Sequence, residues 1–337
     1  MKKILVTGGL GFIGSHTVVE LQNEGYEVVI IDNLSNTTIS VLDSIVSITG
    51  ITPTFANIDL RNQKAVGDFF DNHTIDGVIH FAAFKAVGES VGSPLGYYQN
   101  NLNTLVYLLQ ELTVRKIDNF IFSSSCTVYG QADSLPITEK APVKPAESPY
   151  GYSKQAGEII LRDSCIASEL NAISLRYFNP IGAHPSIKIG ELPLGVPQNL
   201  IPYITQTAAG LRGELSVFGD DYPTKDGTAV RDYIHVVDLA KAHISALARL
   251  MHKENNSNYE FFNVGSGTGS SVLEVIKAFE KASGKPLRYK IVGRREGDVT
   301  AAYADTTLAN KELKWKTTLS LNDALDSAWK WQLAQEK

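Results

Sequence analysis

Three glycines that follow the first apolar run of the chain constrain its fold most strongly. Residues 3–7 form a short run rich in β-branched residues, and Gly8, Gly11 and Gly14 come directly after it, where a stretch of helical length begins. Glycine at these positions permits a tight turn, close approach of a ligand to the backbone and close packing of helix against strand. The N-terminus of the helix offers free N–H groups and a partial positive charge to phosphate. The motif therefore predicts a dinucleotide site.

An acidic residue at the end of the second predicted strand indicates which dinucleotide is bound. Asp32 lies 21 residues beyond Gly11, where a carboxylate accepts hydrogen bonds from both ribose hydroxyls. A carboxylate there repels a 2′-phosphate, so NAD is predicted rather than NADP. Asp59, after the third predicted strand, has two interpretations: contact with the adenine amine, or the N-cap of the helix that begins near Arg61. The spacing G-x-x-G-x-x-G is typical of short-chain dehydrogenases.

Apolar strands alternate with helices through the first half of the chain. The predicted strands are 3–7, 27–32, 54–58, 77–81, 119–123 and 172–176. The predicted helices between them include 12–24, 63–72, 95–116 and 150–168. Strands that are apolar throughout and separated by helices indicate a parallel sheet covered on both faces. We therefore predict an α/β fold, a Rossmann-like doubly wound parallel sheet followed by a smaller C-terminal α/β substrate domain.

The alternation ends near Asn179. Residues 180–228 are rich in proline and glycine, which predicts long loops that shape a ligand site at the carboxyl edge of the sheet. A strand and helix at 232–250 are predicted to return to the sheet, with further helices near 271–283 and 322–332. The predicted domains are a cofactor domain of residues 1–179, joined by 230–262, and a second domain of 180–229 and 263–337.

Composition excludes several classes of protein. The net charge of −5 gives no attraction to nucleic acid or to anionic membranes, and two cysteines encode no disulfide framework. No apolar stretch approaches the roughly 20 residues of a membrane span, and the apolar run after the N-terminus is too short for a signal peptide. We therefore expect a soluble, cytoplasmic protein. The seven histidines show no metal-ligand spacing, so no metal is predicted.

A tyrosine and a lysine are the candidates for proton transfer. Of the 14 tyrosines, only Tyr150 has a lysine four residues later, Lys154, which places the pair on one helical face. In an arbitrary chain the pair would be a packing residue beside a solvated charge, but here residues 123–125, all serine, follow the fifth strand nearby. A phenol has a pKa near 10, so we expect the ammonium and a cationic nicotinamide to favour the phenolate.

Eight strings spread over almost the whole chain resemble the UDP-glucose 4-epimerase family of the extended short-chain dehydrogenase/reductase superfamily. They are GGLGFIGSH (8–16), DNLSN (32–36), HFAAFKAVGES (80–90), FSSSCTVYG (122–130), SPYGYSK (148–154), LRYFNPIGAHPS (175–186), DGTAVRDYIHVVDLA (226–240) and RREGD (294–298). The resemblance implies interconversion of UDP-glucose and UDP-galactose through a 4-keto intermediate with tightly bound NAD. It also implies a UDP-sugar-binding second domain and a homodimer joined by the helices near 95–116 and 150–168.

The resemblance also implies a role for each matching residue. Tyr150 corresponds to the catalytic base, Lys154 to its partner, and Ser125 to the hydroxyl that positions the 4-oxygen. The implied cofactor residues are Gly8, Gly11, Phe12, Ile13, Gly14, Asp32, Asn33, Asn36, Asp59, Leu60, Phe81, Ala82, Lys85, Asn100, Ser123, Tyr150, Lys154 and Tyr177. The implied substrate residues are Lys85, Ser125, Tyr150, Asn179, Asn199, Leu200, Phe218, Arg231, Tyr233, Arg295, Asp298 and Ala302.

Two positions bear on the reaction and its substrate. Cys126 and Thr127 stand where sugar-nucleotide dehydratases carry an Asp-Glu pair, so elimination of water is disfavoured. Ala302 stands where many members restricted to glucose and galactose have a tyrosine, and members that accept N-acetylated sugars have a small residue. Our hypothesis is that Ala302 opens space beside C2, so that UDP-GlcNAc and UDP-GalNAc are also interconverted.

Alternatives remain open at this point. A sugar-nucleotide dehydrogenase or reductase that releases NADH is the main rival, and a non-catalytic NAD sensor is the second. The glycine-rich segment 265–269 suggests another nucleotide site, but Ser270 or Ser271 ahead of an apolar-periodic helix favours a helix cap. Galactose utilisation and supply of polysaccharide precursors both fit the predicted activity.

Overall fold

A computed structural model describes residues 1–295 and 297–335. Glu296, in the RREGD string, and residues 336–337, in the predicted second domain, lie outside the described residues. The first half of the chain contains β1 (Lys3–Thr7), α1 (Phe12–Asn23), β2 (Glu27–Asp32), α2 (Ser40–Thr49), β3 (Thr54–Asn57), α3 (Gln63–Asn72), β4 (Gly77–His80), α4 (Val87–Gly92), α5 (Pro94–Arg115), β5 (Asn119–Ser123), a 3-10 turn (Cys126–Tyr129), α6 (Pro149–Ala167) and β6 (Asn171–Tyr177).

The second half contains shorter elements. They are β7 (Asn179–Ile181), α7 (Leu200–Ala208), β8 (Leu215–Phe218), β9 (Val230–His235), α8 (Val236–Met251), β10 (Tyr259–Val264), β11 (Gly269–Ser271), α9 (Val272–Ser283), β12 (Tyr289–Val292), β13 (Ala301–Ala302), α10 (Thr307–Glu312) and α11 (Leu321–Ala334). None of the helices in the described ranges is both long and apolar enough to cross a membrane.

The main sheet has seven parallel strands in the order β10-β6-β5-β4-β1-β2-β3. The predicted doubly wound α/β fold is confirmed, and the six predicted strands of the first half differ from the observed ones by at most one residue at either end. β1 lies between β2 and β4, so the strand order reverses beside it. In doubly wound sheets the crevice at the carboxyl ends of the strands on either side of such a reversal binds ligands.

Two apolar cores cover the two faces of this sheet. Along β1 the side chains alternate: Ile4 and Val6 pack into one core and Leu5 into the other. The first core also includes residues of α1, α8 and α10, and the second includes residues of α3, α5 and α6. Successive strand side chains point to opposite faces, so a strand that is apolar at every position is stable only when both faces are covered.

The prediction for residues 232–250 is wrong for its strand. β9 does not join the main sheet; it pairs with β7, β11 and β13 in a second sheet. The helix that follows, α8, packs against α1, and the next strand, β10, lies beside β6 at the edge of the main sheet. Periodicity along the chain identifies a strand but not its neighbours, because pairing is decided by residues distant in sequence.

Residues 180–228 are only partly the long loops that we predicted. They contain α7 and β8, and β8 pairs with β12. Pro202 was counted as a loop residue in the prediction. It lies instead in the first turn of α7, where a missing N–H costs no helical hydrogen bond. α7, α9 and α11 enclose a third core that contains Ile204, Phe279 and Trp329.

Candidate active site

A cleft at the carboxyl edge of the main sheet gathers every residue that the sequence assigned to the cofactor. Its lining includes Gly8, Gly11, Phe12, Ile13, Gly14, Asp32, Asn33, Asn36, Asp59, Leu60, Phe81, Ala82, Lys85, Asn100, Ser123, Tyr150, Lys154 and Tyr177. Further lining residues were not singled out from the sequence: Ile31, Ser35, Ile58, Ala83, Phe84 and Thr104. Ala83 and Phe84 lie inside one of the quoted strings, whereas Thr104 is a helix residue without a local motif.

The glycines of the first turn are required by backbone contacts. Gly8 has φ of +67°, and a Cβ on it would lie 2.9 Å from the Ala82 nitrogen. A Cβ on Gly14 would lie 2.1 Å from the Gly8 carbonyl oxygen. The side chain at the N-cap of α1 makes no capping hydrogen bond, because that residue is Gly11. The N–H groups of the first turn are therefore available to an anion, as a dinucleotide pyrophosphate requires.

Asp32 is fixed at the wall of this cleft. Its carboxylate accepts hydrogen bonds from the backbone nitrogens of Leu10, at 3.1 Å, and Leu34, at 2.9 Å, and the residue is only 7% exposed. Burial raises the pKa of Asp32, and the backbone hydrogen bonds oppose that rise. A buried carboxylate beside a glycine-rich turn fits the adenosine ribose of NAD and disfavours a 2′-phosphate.

Asp59 does not cap α3. The N-cap of that helix is Asn62, whose side chain accepts from the Ala65 nitrogen, so the capping interpretation of Asp59 is wrong. Instead, the Asp59 carboxylate accepts three hydrogen bonds from the Arg61 guanidinium, two of them from Nε, and one from the Asn33 amide. The hydrogen bond from Arg61 lowers the pKa of Asp59 to about 2, so the carboxylate at this end of the cleft is ionised.

Tyr150 and Lys154 lie on one face of α6, which begins at Pro149 behind a Ser148 cap. Lys154 donates to the Ser123 carbonyl oxygen at 2.6 Å, and its Nζ lies 5.9 Å from the centre of the Tyr150 ring. The Ser125 hydroxyl accepts from the Thr127 nitrogen at 3.2 Å, and it lies near enough to Tyr150 to oppose the rise in the pKa of the phenol. The structure thus brings the three predicted catalytic side chains together at the end of β5.

Burial dominates the protonation of this group. It raises the pKa of Tyr150 above its usual value, Tyr177 adds to the rise, and the nearby Ser125 hydroxyl opposes it. Burial also lowers the pKa of Lys154 to about 8. The Lys154 ammonium donates to the Ser123 carbonyl and does not offset the burial of the phenol in the protein alone, so the joint effect of Lys154 and a cationic nicotinamide stays a prediction.

A second pocket opens beyond β6. Tyr177 lines the cofactor cleft and bonds to the Ser123 hydroxyl at 2.7 Å, whereas Asn179, two residues later, lines the second pocket. Eight predicted substrate residues lie around this pocket: Asn179, Asn199, Leu200, Phe218, Arg231, Tyr233, Arg295 and Asp298. The two sites therefore adjoin where β6 ends and β7 begins.

Two guanidiniums share one carboxylate in the second pocket. Asp298 accepts from Arg295 at 2.8 Å and lies 3.4 Å from Arg231. The Arg295 guanidinium also stands 5.5 Å from the centre of the Phe218 ring. Two cations held by one anion leave a net positive charge, and guanidinium groups match phosphate oxygens in geometry. The pocket is suited to a nucleoside diphosphate.

Glu191 bridges the two sites and was missed in the sequence. Its carboxylate lies 3.1 Å from Lys85, in the cofactor cleft, and accepts from the Asn199 amide at 2.7 Å, in the second pocket. No local motif marks this residue, because Lys85 is 106 positions away in the chain.

Ala302 stands behind the lining of the second pocket. It is 8% exposed, faces Arg231 in the β13–β9 register, and packs in a small core with Tyr129 and Phe178. Cys126 packs against the same core. The side chain at position 302 therefore acts on the pocket through its neighbours.

The second glycine-rich segment does not form another nucleotide site. The backbone nitrogens of Ser266 and Gly267 donate to the buried Asp232 carboxylate, so these N–H groups are already used. Ser271 caps α9 in a capping box with Glu274, which confirms the helix-cap interpretation.

Comparisons with known proteins agree with this architecture. The family described as "NAD dependent epimerase/dehydratase family" matches residues 4–265. The UDP-glucose 4-epimerase of Bacillus subtilis (strain 168) is 50% identical over 330 residues, which are 98% of this chain and 96% of that protein.

Two solved structures extend the comparison. A UDP-glucose-4-epimerase from Stenotrophomonas maltophila, with bound NAD and formylated UDP-arabinopyranose, has 46% identity and a TM-score of 0.96, over 100% of this chain and 99% of that chain. The UDP-Glc/GlcNAc 4-epimerase from Campylobacter jejuni has 35% identity and a TM-score of 0.85, over 99% of this chain and 100% of that chain. With the family match and identity over nearly the full length, the chain belongs to the NAD-dependent epimerase/dehydratase family, in the group of the UDP-glucose 4-epimerases.

Proposed function

We propose that this protein is an NAD-dependent isomerase that interconverts UDP-glucose and UDP-galactose by inverting C4. The observation that carries the proposal is the placement of Tyr150 and Lys154 in the cofactor cleft, next to a second pocket that contains two guanidiniums. Relatives and neighbours that match over almost the whole chain are named as UDP-glucose 4-epimerases.

The side chains of the site divide the chemistry between them. Tyr150 takes the proton of the 4-hydroxyl and later returns it, and Ser125 orients both oxygens. NAD, held by the glycine turn and Asp32, would supply a reversible hydride acceptor for C4. Because burial raises the pKa of Tyr150, the phenolate needs positive charge beside it, from Lys154 and from the cationic nicotinamide.

Inversion also requires the hexose to rotate between the two hydride transfers, so that hydride returns to the opposite face of C4. Arg231 and Arg295 offer charge to a diphosphate, and Phe218 and Tyr233 offer aromatic surface to a uracil. Around the hexose, the sequence assigns only a few side chains, chiefly Ser125 and Lys85. A firm hold on UDP with a weak hold on the hexose allows rotation about the nucleotide linkage.

The decisive assay is incubation of the purified protein with UDP-glucose, UDP-galactose, UDP-GlcNAc and UDP-GalNAc, each separated by chromatography. We expect interconversion of the first two without net formation of NADH. A rise in NADH absorbance that depends on added NAD would instead support the rival dehydrogenase, and NAD binding without turnover of any sugar would support the sensor.

The N-acetylated sugars are the finer part of the proposal. A tyrosine at position 302 would need room in the core that contains Tyr129 and Phe178, and would press on the pocket through these neighbours. Alanine leaves that space free, so we propose that UDP-GlcNAc and UDP-GalNAc are interconverted as well. The Campylobacter jejuni neighbour is named for both kinds of sugar.

Ala302→Tyr should lower turnover of UDP-GalNAc about a hundredfold and leave turnover of UDP-galactose within about threefold. The reason is steric, because the added ring pushes the neighbours of position 302 towards the pocket and narrows the volume beside C2. Steady-state kinetics on both sugars measure the selectivity, with Ala302→Ser as the control that keeps the volume small. Equal losses for both sugars would argue against the hypothesis.

We also propose the division of labour between domains. Residues 1–179 and 230–262 hold NAD, and 180–229 with 263–337 hold the UDP-sugar. The support is that every cofactor residue precedes position 179, while most substrate residues follow it. Within 230–262, β9 is an exception, since Arg231 and Tyr233 line the second pocket.

A homodimer through α5 and α6 completes the proposal. These two adjacent helices expose large apolar side chains: Leu95, Val114, Tyr152, Ile159 and Ile166. Such a surface is typical of an interface. Sedimentation velocity should give the mass of two chains, and Ile159→Lys should shift it towards one chain; a monomer in the unaltered protein would contradict the proposal.

A further inference from the structure

A buried glutamate on α6, eight residues after Tyr150, has no role in the mechanism above. Glu158, on α6, is 7% exposed and accepts from the Ser124 hydroxyl at 2.6 Å. Its two oxygens also receive the Arg176 guanidinium, at 2.9 Å from Nε and 2.5 Å from Nη2. A buried carboxylate costs much to desolvate unless strong donors surround it, and these three bonds supply that compensation.

The Arg176 guanidinium is itself held in place. It stands 4.0 Å from the centre of the Phe261 ring and 4.9 Å from that of Tyr129. Its Nη1 donates to the Tyr129 hydroxyl at 3.0 Å, and that hydroxyl donates to Asn263 at 2.7 Å. The ion pair is therefore part of a rigid buried network.

This network reaches the proposed site through three consecutive serines. The Ser123 carbonyl accepts from Lys154, and the Ser124 hydroxyl donates to Glu158. Tyr150, whose pKa the Ser125 hydroxyl lowers, Lys154 and Glu158 follow one another at intervals of four residues along α6, and such residues share one face of a helix. One face of α6 thus holds the serine segment by hydrogen bonds at Ser123 and Ser124, next to Ser125.

Glu158 also acts on Lys154 by charge. Burial lowers the pKa of Lys154, and the Glu158 carboxylate opposes that change. The other titratable or charged groups that face Lys154 or Glu158 are Tyr150 on α6, His80 on β4, Arg176 and Tyr177 on β6, Tyr129 in the 3-10 turn and Tyr259 on β10. His80 and the three tyrosines other than Tyr150 are neutral near pH 7, because burial lowers the pKa of His80 to about 3 and raises those of the tyrosines.

We propose that Glu158 is a positioning residue of this site: its buried carboxylate keeps Lys154 charged and holds Ser124, so that Ser125 meets Tyr150. This inference rests on the proposed epimerase function for its kinetic part only. The charge on Lys154 is a property of the protein and can be measured without any substrate.

The first measurement is the titration of Lys154. In protein labelled with ¹³Cε-lysine, the resonance absent from Lys154→Arg reports the charge of this residue as pH changes. In Glu158→Gln the midpoint should move to lower pH, because the carboxylate that opposes desolvation is gone. Asp238→Asn, which removes a buried carboxylate bonded to Thr318 and Leu319, should leave the midpoint where it is. An unchanged midpoint in Glu158→Gln overturns the inference.

Glu158→Gln leaves Arg176 buried without its carboxylate, so the variant can fail to fold. The double variant Glu158→Gln/Arg176→Met removes both charges of the buried ion pair. Lys154 should again titrate at lower pH in this variant, since the shift of its pKa is set by burial and by Glu158. A wild-type midpoint in this folded double variant overturns the charge role equally.

Kinetics test the positioning of the serines. At pH 8, kcat of Glu158→Gln or of the double variant should fall about tenfold. In the pH profile of kcat, the decline on the alkaline side should move to lower pH. The KM for UDP-galactose should stay within about twofold. Ser124→Ala should lower kcat while Lys154 titrates normally; a wild-type kcat for Ser124→Ala overturns the positioning role. If the unaltered protein converts no UDP-hexose, the proposed function fails, and the titration still decides the effect of Glu158 on Lys154.

Discussion

Tyr150→Phe is expected to lower kcat for UDP-galactose by about a thousandfold and to leave NAD bound. The phenol oxygen is the only atom removed, so the proton acceptor and the partner of Ser125 are lost while the ring still fills the cleft wall. Steady-state kinetics and the NAD content of the purified variant measure the two parts separately.

Tyr152→Phe is the matched control. Tyr152 lies two residues further along α6, is 53% exposed and is not part of the cleft lining. The same atom is removed from the same helix, and kcat should stay within about twofold of the unaltered protein. A Tyr150→Phe variant that keeps a tenth or more of the activity would rule out Tyr150 as the base.

Gly14→Ala should abolish NAD retention and lower the free energy of unfolding by about 3 kcal/mol. The new Cβ would lie 2.1 Å from the Gly8 carbonyl oxygen and 2.9 Å from the Gly9 Cα. The glycine turn after β1 and the first turn of α1 therefore have to move apart. That movement displaces the N–H groups that face the pyrophosphate. Urea unfolding and the cofactor content of the purified variant measure the two effects.

Gly88→Ala serves as the control for the added methyl. Gly88 is also a helical glycine, in α4, and a Cβ on it meets no atom within 4 Å. Its stability should stay equal or rise by about 0.5 kcal/mol, because alanine has less freedom in the unfolded chain. Full NAD content in Gly14→Ala would show that the tight approach at this turn is not needed.

Features that depend on neighbours along the chain were predictable from the sequence. The strand β1, the glycine turn and α1 follow one another directly, and the spacing of four residues between Tyr150 and Lys154 already places them on one helical face. α2 was not singled out from the sequence, although Val41, Leu42 and Ile48 pack against the first core beside the buried Ile45.

Contacts between distant residues were not predictable in this way. The Lys154 ammonium bonds to a carbonyl 31 positions away, Glu191 to a lysine 106 positions away, and Arg231 to a carboxylate 67 positions away. The pairing of β9 with β7, β11 and β13 is of the same kind. Local periodicity carries no information on such partners.

By itself, the sequence determined the doubly wound sheet, the preference for NAD over NADP and the tyrosine that we propose as the base. These follow from local backbone geometry and from the chemistry of single side chains. Only the tertiary structure decided which groups surround that base and how they ionise, as the raised pKa of Tyr150 and the lowered pKa of Lys154 show. The physical reason is that burial and electrostatic interaction depend on distance in space, and the fold alone sets those distances.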